Sequence, residues 1–409
     1  MATTTSTPAP GWLGRIGGSL FQRRAVMPAA APAVQDRAAS EQRSPTLAIL
    51  AGALRTPHGA SAEELGAALA ANKVDADLDR ELIDDDGFPV MSARCDLAAH
   101  EMAREELASW LAANATPQPH FGDEQWRALL LGTMVLRELA ERAATVLAPD
   151  EGAAPMLQLA PLLPQDWPAE QRQAAAGWFG QVLVQSGWPA VHATVAEPVA
   201  PAALIARLAH EAQTAKAPVA TIVLACASCI GQETVERWSS NGTLFRAAHP
   251  GGRIPGEGAA ALLLAPPSDN AGLAHISLET APCDRASGSG KRLSPQVLNT
   301  LAERLLQGAA IAAGDIAMIV ADTGPDTRHV LELMEFGGAS APHLDNASDI
   351  VRLGPACGAC DPVPFVAALA LAAHATLAHD APLLCVSNDT PDMRALALVR
   401  PGPSLENKA

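Results

Sequence analysis

Gly252-Arg-Ile-Pro-Gly-Glu-Gly-Ala-Ala-Ala-Leu-Leu-Leu264 is the stretch on which the reading of this chain turns. Pro255, Gly256 and Gly258 predict a tight turn. The apolar run 259–264 is too short for a solvent-facing helix and predicts a buried strand. Upstream, 219–225 is a second apolar, β-branched run ending at Cys226, and the Ala-rich 200–216 reads as a helix before it. Further strands are expected at 156–163 and 191–195, with a helix at 170–186 between them. Strands alternating with helices of this length imply parallel βαβ units, hence an α/β fold.

Nearer the N-terminus, 46–59 reads as a strand and a Gly/Pro turn, and Ser61 with Glu64 forms a capping box that opens a helix to about residue 71. Asp84, Asp85 and Asp86 read as a solvated acidic turn. Helices are expected at 97–114 and 123–147, the second with Leu129, Leu130, Val135, Leu136 and Leu139 on its apolar side. After the organising stretch, 275–279 is a short strand and 281–293 a Gly/Ser-rich connector. A helix at 294–312, a strand at 316–321, a helix at 327–336, a long Ala-rich helix at 361–379 and a strand pair at 383–387 and 395–399 complete the chain. The second half repeats the element order of the first, with no repeat at residue level. The expected division is 45–280 and 281–400, with tails at 1–44 and 401–409.

Composition narrows the class. With 409 residues, 49% of them hydrophobic, the chain buries a substantial core. Only 3% of residues are aromatic and none is Tyr, so that core is packed mainly from Ala, Leu and Val. The 28 basic and 44 acidic residues, net −16, argue against nucleic acid or an anionic membrane surface as partner. No run reaches the roughly 18 apolar residues of a membrane span. Seven cysteines in a large chain fit a reducing compartment, so a cytoplasmic location is expected. In the Ala/Pro/Ser/Thr-rich tail, Trp12, Leu13, Ile16, Leu20 and Phe21 lie beside Arg15, Arg23 and Arg24. A short partner-docking helix is one reading; a solvated tail is the other, because Gly11, Gly14, Gly17 and Gly18 oppose a free helix.

The string Gly256-Glu-Gly-Ala-Ala260 resembles the β-ketoacyl synthases of the thiolase-fold superfamily, in which a Gly-Glu-Gly-Ala-Ala stretch leads into a core strand. The resemblance implies a five-layered α/β/α/β/α architecture with two similar halves, a homodimer, and a structural role for Glu257 in holding backbone near the turn, flanked by Gly256 and Gly258. It also implies where catalysis would sit. The family carries an acyl chain on a Cys at a strand-to-helix elbow, assisted by two histidines of the second half.

Laid on that pattern, the elbow before helix 200–216 reads Val195-Ala-Glu-Pro-Val-Ala-Pro201, with Pro198 and Val199 near the nucleophile position and no Cys, Ser or His. The first histidine loop is matched by Ala321-Asp-Thr-Gly-Pro-Asp-Thr-Arg-His329, with Asp322 in the place of the His and His329 inside the next helix. The second is matched by Leu353-Gly-Pro-Ala-Cys-Gly-Ala-Cys360, with Pro355 at the His position. Where the family has a Gly-Phe-Gly-Gly turn, this chain has Val386-Ser-Asn-Asp-Thr-Pro391. No acid, base and nucleophile set remains for acyl condensation. The expectation is a pseudoenzyme without a cofactor, acting on a protein partner as a scaffold or accessory factor in acyl-chain assembly or secretion-effector loading.

Two rival readings remain. Cys226-Ala-Ser-Cys229 and Cys357-Gly-Ala-Cys360 are C-x-x-C pairs, the spacing of a tetrahedral zinc site or a redox pair, although their separation by over a hundred residues is foreign to a zinc ribbon. The alternative is that these cysteines are small apolar residues of the core. The second rival is an acyltransferase or condensing enzyme that uses a displaced thiol such as Cys357. His192, His249, His343 and His374 have no obvious nucleophile or carboxylate partner in the sequence.

Overall fold

The computed structural model describes residues 44–97, 101–115, 119–147, 156–188, 191–193, 199–215, 219–268, 272–283 and 292–402. Trp12, Leu13, Ile16, Leu20, Phe21 and Pro198 lie outside these residues, as do nearly all of both tails. The first half runs β1 (Thr46–Arg55), α1 (Ala62–Ala70), β2 (Asp77–Ile83), β3 (Pro89–Ser92), α2 (Glu101–Asn114), α3 (Asp123–Val146), β4 (Met156–Leu162), α4 (Ala169–Gln185), β5 (Val191–Ala193), α5 (Pro201–Thr214), β6 (Val219–Ser228), α6 (Gln232–Ser240) and β7 (Glu257–Ala265). The second runs β8 (Ala274–Pro282), α7 (Gln296–Ala309), β9 (Met318–Ala321), α8 (Thr327–Ser340), β10 (Ile350–Arg352), α9 (Gly354–Cys357), α10 (Val363–His379), β11 (Leu383–Ser387) and β12 (Met393–Pro401).

Among the described residues ten strands join in the order β10-β9-β11-β12-β8-β1-β7-β6-β4-β5. If the strands of each half are numbered in turn from β1 and from β8, leaving out the β2–β3 hairpin, both halves show the order third, second, fourth, fifth, first. They meet where β1 and β8 pair antiparallel, Thr46 to Ile49 against Ser277 to Ala274. On strand order the repeat begins at β8.

Strand alternation builds the layers. Along β7, Ala260, Leu262 and Leu264 enter the inner core while Ala259, Ala261 and Leu263 face the outer core under α3 and α4. Along β12, Ala395, Ala397 and Val399 face inward and Leu396 and Leu398 meet α7 and α8. Helices α5 and α10 lie in the inner core between the two half-sheets, which gives α/β/α/β/α. Helix α10 is buried nearly all round, as befits a helix with no water-facing side. Its alanines permit close approach: a Cβ on Gly52 would stand 3.3 Å from the Ala370 Cβ.

Several expected elements need correction. The stretch at 255–258 does not turn: β7 begins at Glu257, and Pro255 and Gly256 are extended, bridging to Ala359 and Ala93. The glycine is required there by close approach rather than by reversal. Asp84, Asp85 and Asp86 form the tip of the β2–β3 hairpin and gather around Arg246, with Asp86 at 3.1 Å and Asp84 at 3.6 Å. Helix α6, the hairpin and the short β10 were not expected. Capping at Ser61 holds, with Glu64 N donating to Ser61 Oγ at 3.1 Å, while the Glu64 carboxylate accepts from Ala60 N rather than from Ser61.

Candidate functional site

The organising stretch places a buried acid beside the contact between the halves. Glu257 is fully buried. Its Oε1 accepts from Cys95 N at 2.8 Å, and its Oε2 accepts from Arg127 Nε at 2.7 Å and from Ser228 Oγ at 2.9 Å. Arg127 stands on α3 and also donates to Cys95 O at 3.0 Å. One side chain thus ties β7, the end of β6, an outer helix and the loop after β3. With every lone pair occupied and no access to a ligand, Glu257 is in the position of a structural anchor. A Cβ on Gly256 would lie 2.0 Å from Cys357 O, and Gly358, with φ +65°, faces it from the second half.

Beside this joint lies a cavity of about 460 Å³ built from both halves. Val199 and Ala200, just before α5, and Cys229, just after β6, come from the first. Asp322 after β9, Asp361 and Phe365 at the head of α10, and Ser387 with Asp389 between β11 and β12 come from the second. Trp167 and Trp238 add aromatic wall. The register suggested by sequence therefore converges in space for Val199, Asp322 and the 386–391 turn. Pro355 does not line the cavity; it is half-buried on α9.

The chemistry of the lining differs at each position. Helix α5 opens at Ala200 with no side-chain cap and with Pro201 as its first residue, so its N-terminus presents no nucleophile. Asp322 is buried; its Oδ1 accepts from Asn388 N at 3.0 Å and Ser387 Oγ donates to Oδ2. Desolvation, and then the neighbouring Asp389, push its carboxyl up to about 8, so it is mostly protonated at neutral pH. Asp361 is raised in the same way, by desolvation first and Asp389 second, against a lowering by Arg253. Arg253 itself stacks on Trp238, 4.3 Å from the ring centre. No histidine lines the cavity among the described residues. His329 lies in α8, its Nδ1 3.4 Å from Asp389.

The cysteines separate. Alternation along β6 sends Cys226 into the outer core near Phe179, whereas Cys229 lines the cavity and Cys357 and Cys360 sit in the inner core. Among the described residues, the only three ligand-bearing groups within 4.8 Å of one another are Asp84, Asp85 and Asp86, so the two C-x-x-C pairs do not converge on a zinc site. Cys357 is fully buried and does not line the cavity. Cys229, the thiol that does, is pushed up to about 12, chiefly by desolvation and then by Glu124.

Sequence reasoning missed the support behind the second-half loops. Thr323 Oγ1 donates to Asn388 Oδ1 at 2.5 Å, and Asn388 Nδ2 donates to Glu332 at 3.1 Å. Glu332 in turn accepts from Arg394 at 2.8 Å, both side chains being almost completely buried. Arg394, at the head of the apolar run of β12, was the available signal.

No protein-family model matches this sequence, and no curated protein does. Solved structures do. A ketosynthase from module 6 of the bacillaene synthase of Bacillus subtilis 168 superposes with TM-score 0.60 at 11% identity, covering 87% of this chain and 72% of that one. An oxazolomycin ketosynthase domain from Streptomyces albus gives 0.58 at 13% identity, over 87% and 75%. The ishigamide ketosynthase/chain length factor gives 0.55 at 15% identity, over 87% of this chain and 99% of that one. No helix among the described residues is long and apolar enough to cross a membrane. With the repeated strand order, the five layers and these neighbours, the chain has the thiolase-like fold of the ketosynthases.

Proposed function

We propose that this chain is a non-catalytic member of the ketosynthase fold, a pseudoenzyme that acts through protein–protein interaction as a scaffold or accessory factor. The observation that carries this reading is the lining of the shared cavity: its thiol is held protonated, no imidazole lines it among the described residues, and Asp322 stands where the resemblance expects a base. A thiol near 12 is almost wholly protonated at neutral pH, and condensation needs both a thiolate and a proton-transfer partner. One solved neighbour is a ketosynthase/chain length factor, so the fold also serves proteins named for setting chain length. We read the setting as bacterial and cytoplasmic, in acyl-chain assembly or effector loading, with the chain as a homodimer. The short β5, at one end of the sheet, offers an edge for pairing with a second copy.

The rival reading, an acyltransferase or condensing enzyme with a displaced cysteine, requires Cys229 or Cys357 to react. Incubation with an acyl-CoA and with a ketosynthase-directed electrophile, followed by mass spectrometry, separates the two. Non-enzymatic behaviour predicts no stoichiometric adduct at pH 7.5; full modification of a single cysteine would establish the enzyme instead.

A further inference from the structure

The cavity shared by the halves carries more negative charge than its lining balances, and the proposed function makes no use of it. Three carboxyl groups reach its second-half end from three different loops: Asp322 after β9, Asp361 before α10 and Asp389 between β11 and β12. Asp322 feels both of the others, and Asp361 feels Asp389. Their partners are few. Asp322 accepts from the Ser387 hydroxyl and from Asn388 N, and Asp389 accepts from Gly324 N at 3.3 Å. Asp361 has no hydrogen bond and no ion pair among the described residues; the cation that acts on it, Arg253, is stacked on Trp238.

Polar capacity around the cluster is also unmet. His329, 9% exposed, stands behind Asp389 in α8 and aims its Nδ1 at that carboxylate from 3.4 Å, yet the atom has no hydrogen-bond partner. On the first-half wall, Glu124 Oε1 is likewise buried without one. Five carboxyl residues line the cavity against three arginines, and one of those, Arg394, is tied to Glu332 at 2.8 Å. Beside the acids the wall is apolar and aromatic, with Trp167, Trp238 and Phe365 all buried around a space of about 460 Å³. A volume of this size fits a small organic molecule rather than a bare ion. The surplus of carboxyl groups selects its charge, because a cation among them relieves their repulsion and an anion adds to it. Burial drives Asp322 and Asp361 toward the neutral acid, and a cation beside them favours the ionised form.

We propose that the shared cavity binds a small organic amine, its ammonium received by Asp322, Asp361 and Asp389 and its apolar body held against Trp167, Trp238 and Phe365. The amine site does not rest on the cavity being non-catalytic. It is read by binding without turnover, so its failure and the failure of the pseudoenzyme reading are told apart.

The probe is phenethylamine, titrated into the full chain by calorimetry at neutral pH, with phenethyl alcohol and 3-phenylpropionate as ligands of similar shape and different charge. Saturable binding of the amine is expected, at least tenfold tighter than that of either comparison ligand. Asp361→Asn is expected to weaken amine binding tenfold or more, the equivalent of losing a hydrogen bond to a charged group, and to leave the alcohol as it was. Asp361 makes no hydrogen bond that the amide would break, so this variant keeps the fold. Asp389→Asn, checked for folding by its thermal melt, is a second arm and is expected to act in the same direction. No saturable binding of the amine, a preference below tenfold over either comparison ligand, or amine affinity unchanged in either folded variant overturns the proposal.

Discussion

Two buried carboxyl groups, Glu257 beside β7 and Asp322 after β9, divide the molecule into a paired and an unpaired region. Glu257 has a guanidinium, a backbone amide and a hydroxyl around it. Asp322 has a hydroxyl and an amide, and its nearest charged neighbours are other acids. The same burial therefore has opposite consequences. A buried carboxylate with a matched cation serves as a fixed joint, whereas one without is driven to the neutral acid. The paired acid ties elements of the first half together; the neutral acid lines the shared cavity.

The contrast is broken most severely at the paired end. Arg127→Met leaves Glu257 buried without a cation and is expected to destabilise the protein by about 3–5 kcal/mol, read by urea unfolding at neutral pH. A loss below about 1 kcal/mol would mean that Glu257 is held by backbone and Ser228 alone.

At the unpaired end the sign depends on pH. Asp322 in the folded chain is raised to about 8, above its unfolded value near 4, so the folded state binds the extra proton in that interval. Its contribution to stability is full below about pH 4, declines as pH rises to 8, and is flat above that. Asp322→Asn mimics the protonated acid and is expected to match the parent near pH 3 and to exceed it at pH 9, by roughly 3 kcal/mol or more. Parallel stability profiles for the two proteins would show that Asp322 is ionised throughout.

A smaller effect sharpens the comparison at the crossing of the halves. Gly256→Ala brings a methyl against Cys357 O, a backbone atom that cannot swing away, and is expected to cost about 2–3 kcal/mol in the same unfolding measurement. A neutral result would place slack in the joint.

The paired region was partly legible in the sequence, and the unpaired one less so. Residues 259–264 announce a buried strand because both faces are apolar, and Gly256-Glu-Gly258 announced its own importance. Arg127 could not be paired with Glu257 from sequence: 130 positions separate them, and the apolar side of α3 says nothing of where its arginine points. Extended backbone at 255–256 was mistaken for a turn because glycine serves close approach and reversal alike. The β2–β3 hairpin was hidden by its charge and by a register shift between Asp79 and Ile83, which break the alternation that reveals strands. At the cavity, Val199 and Asp322 are legible as residue types, but their convergence, and the raised carboxyl of Asp322, follow from packing between halves.

The central claim is that the shared cavity performs no carbon–carbon bond formation. Its most direct test is a condensation assay with acyl and malonyl thioesters, following decarboxylation and chain extension by the purified full chain. The account predicts product no greater than in the protein-free control, with Cys229→Ala indistinguishable from the parent. Product formation by the parent that Cys229→Ala or Cys357→Ala abolishes would contradict it.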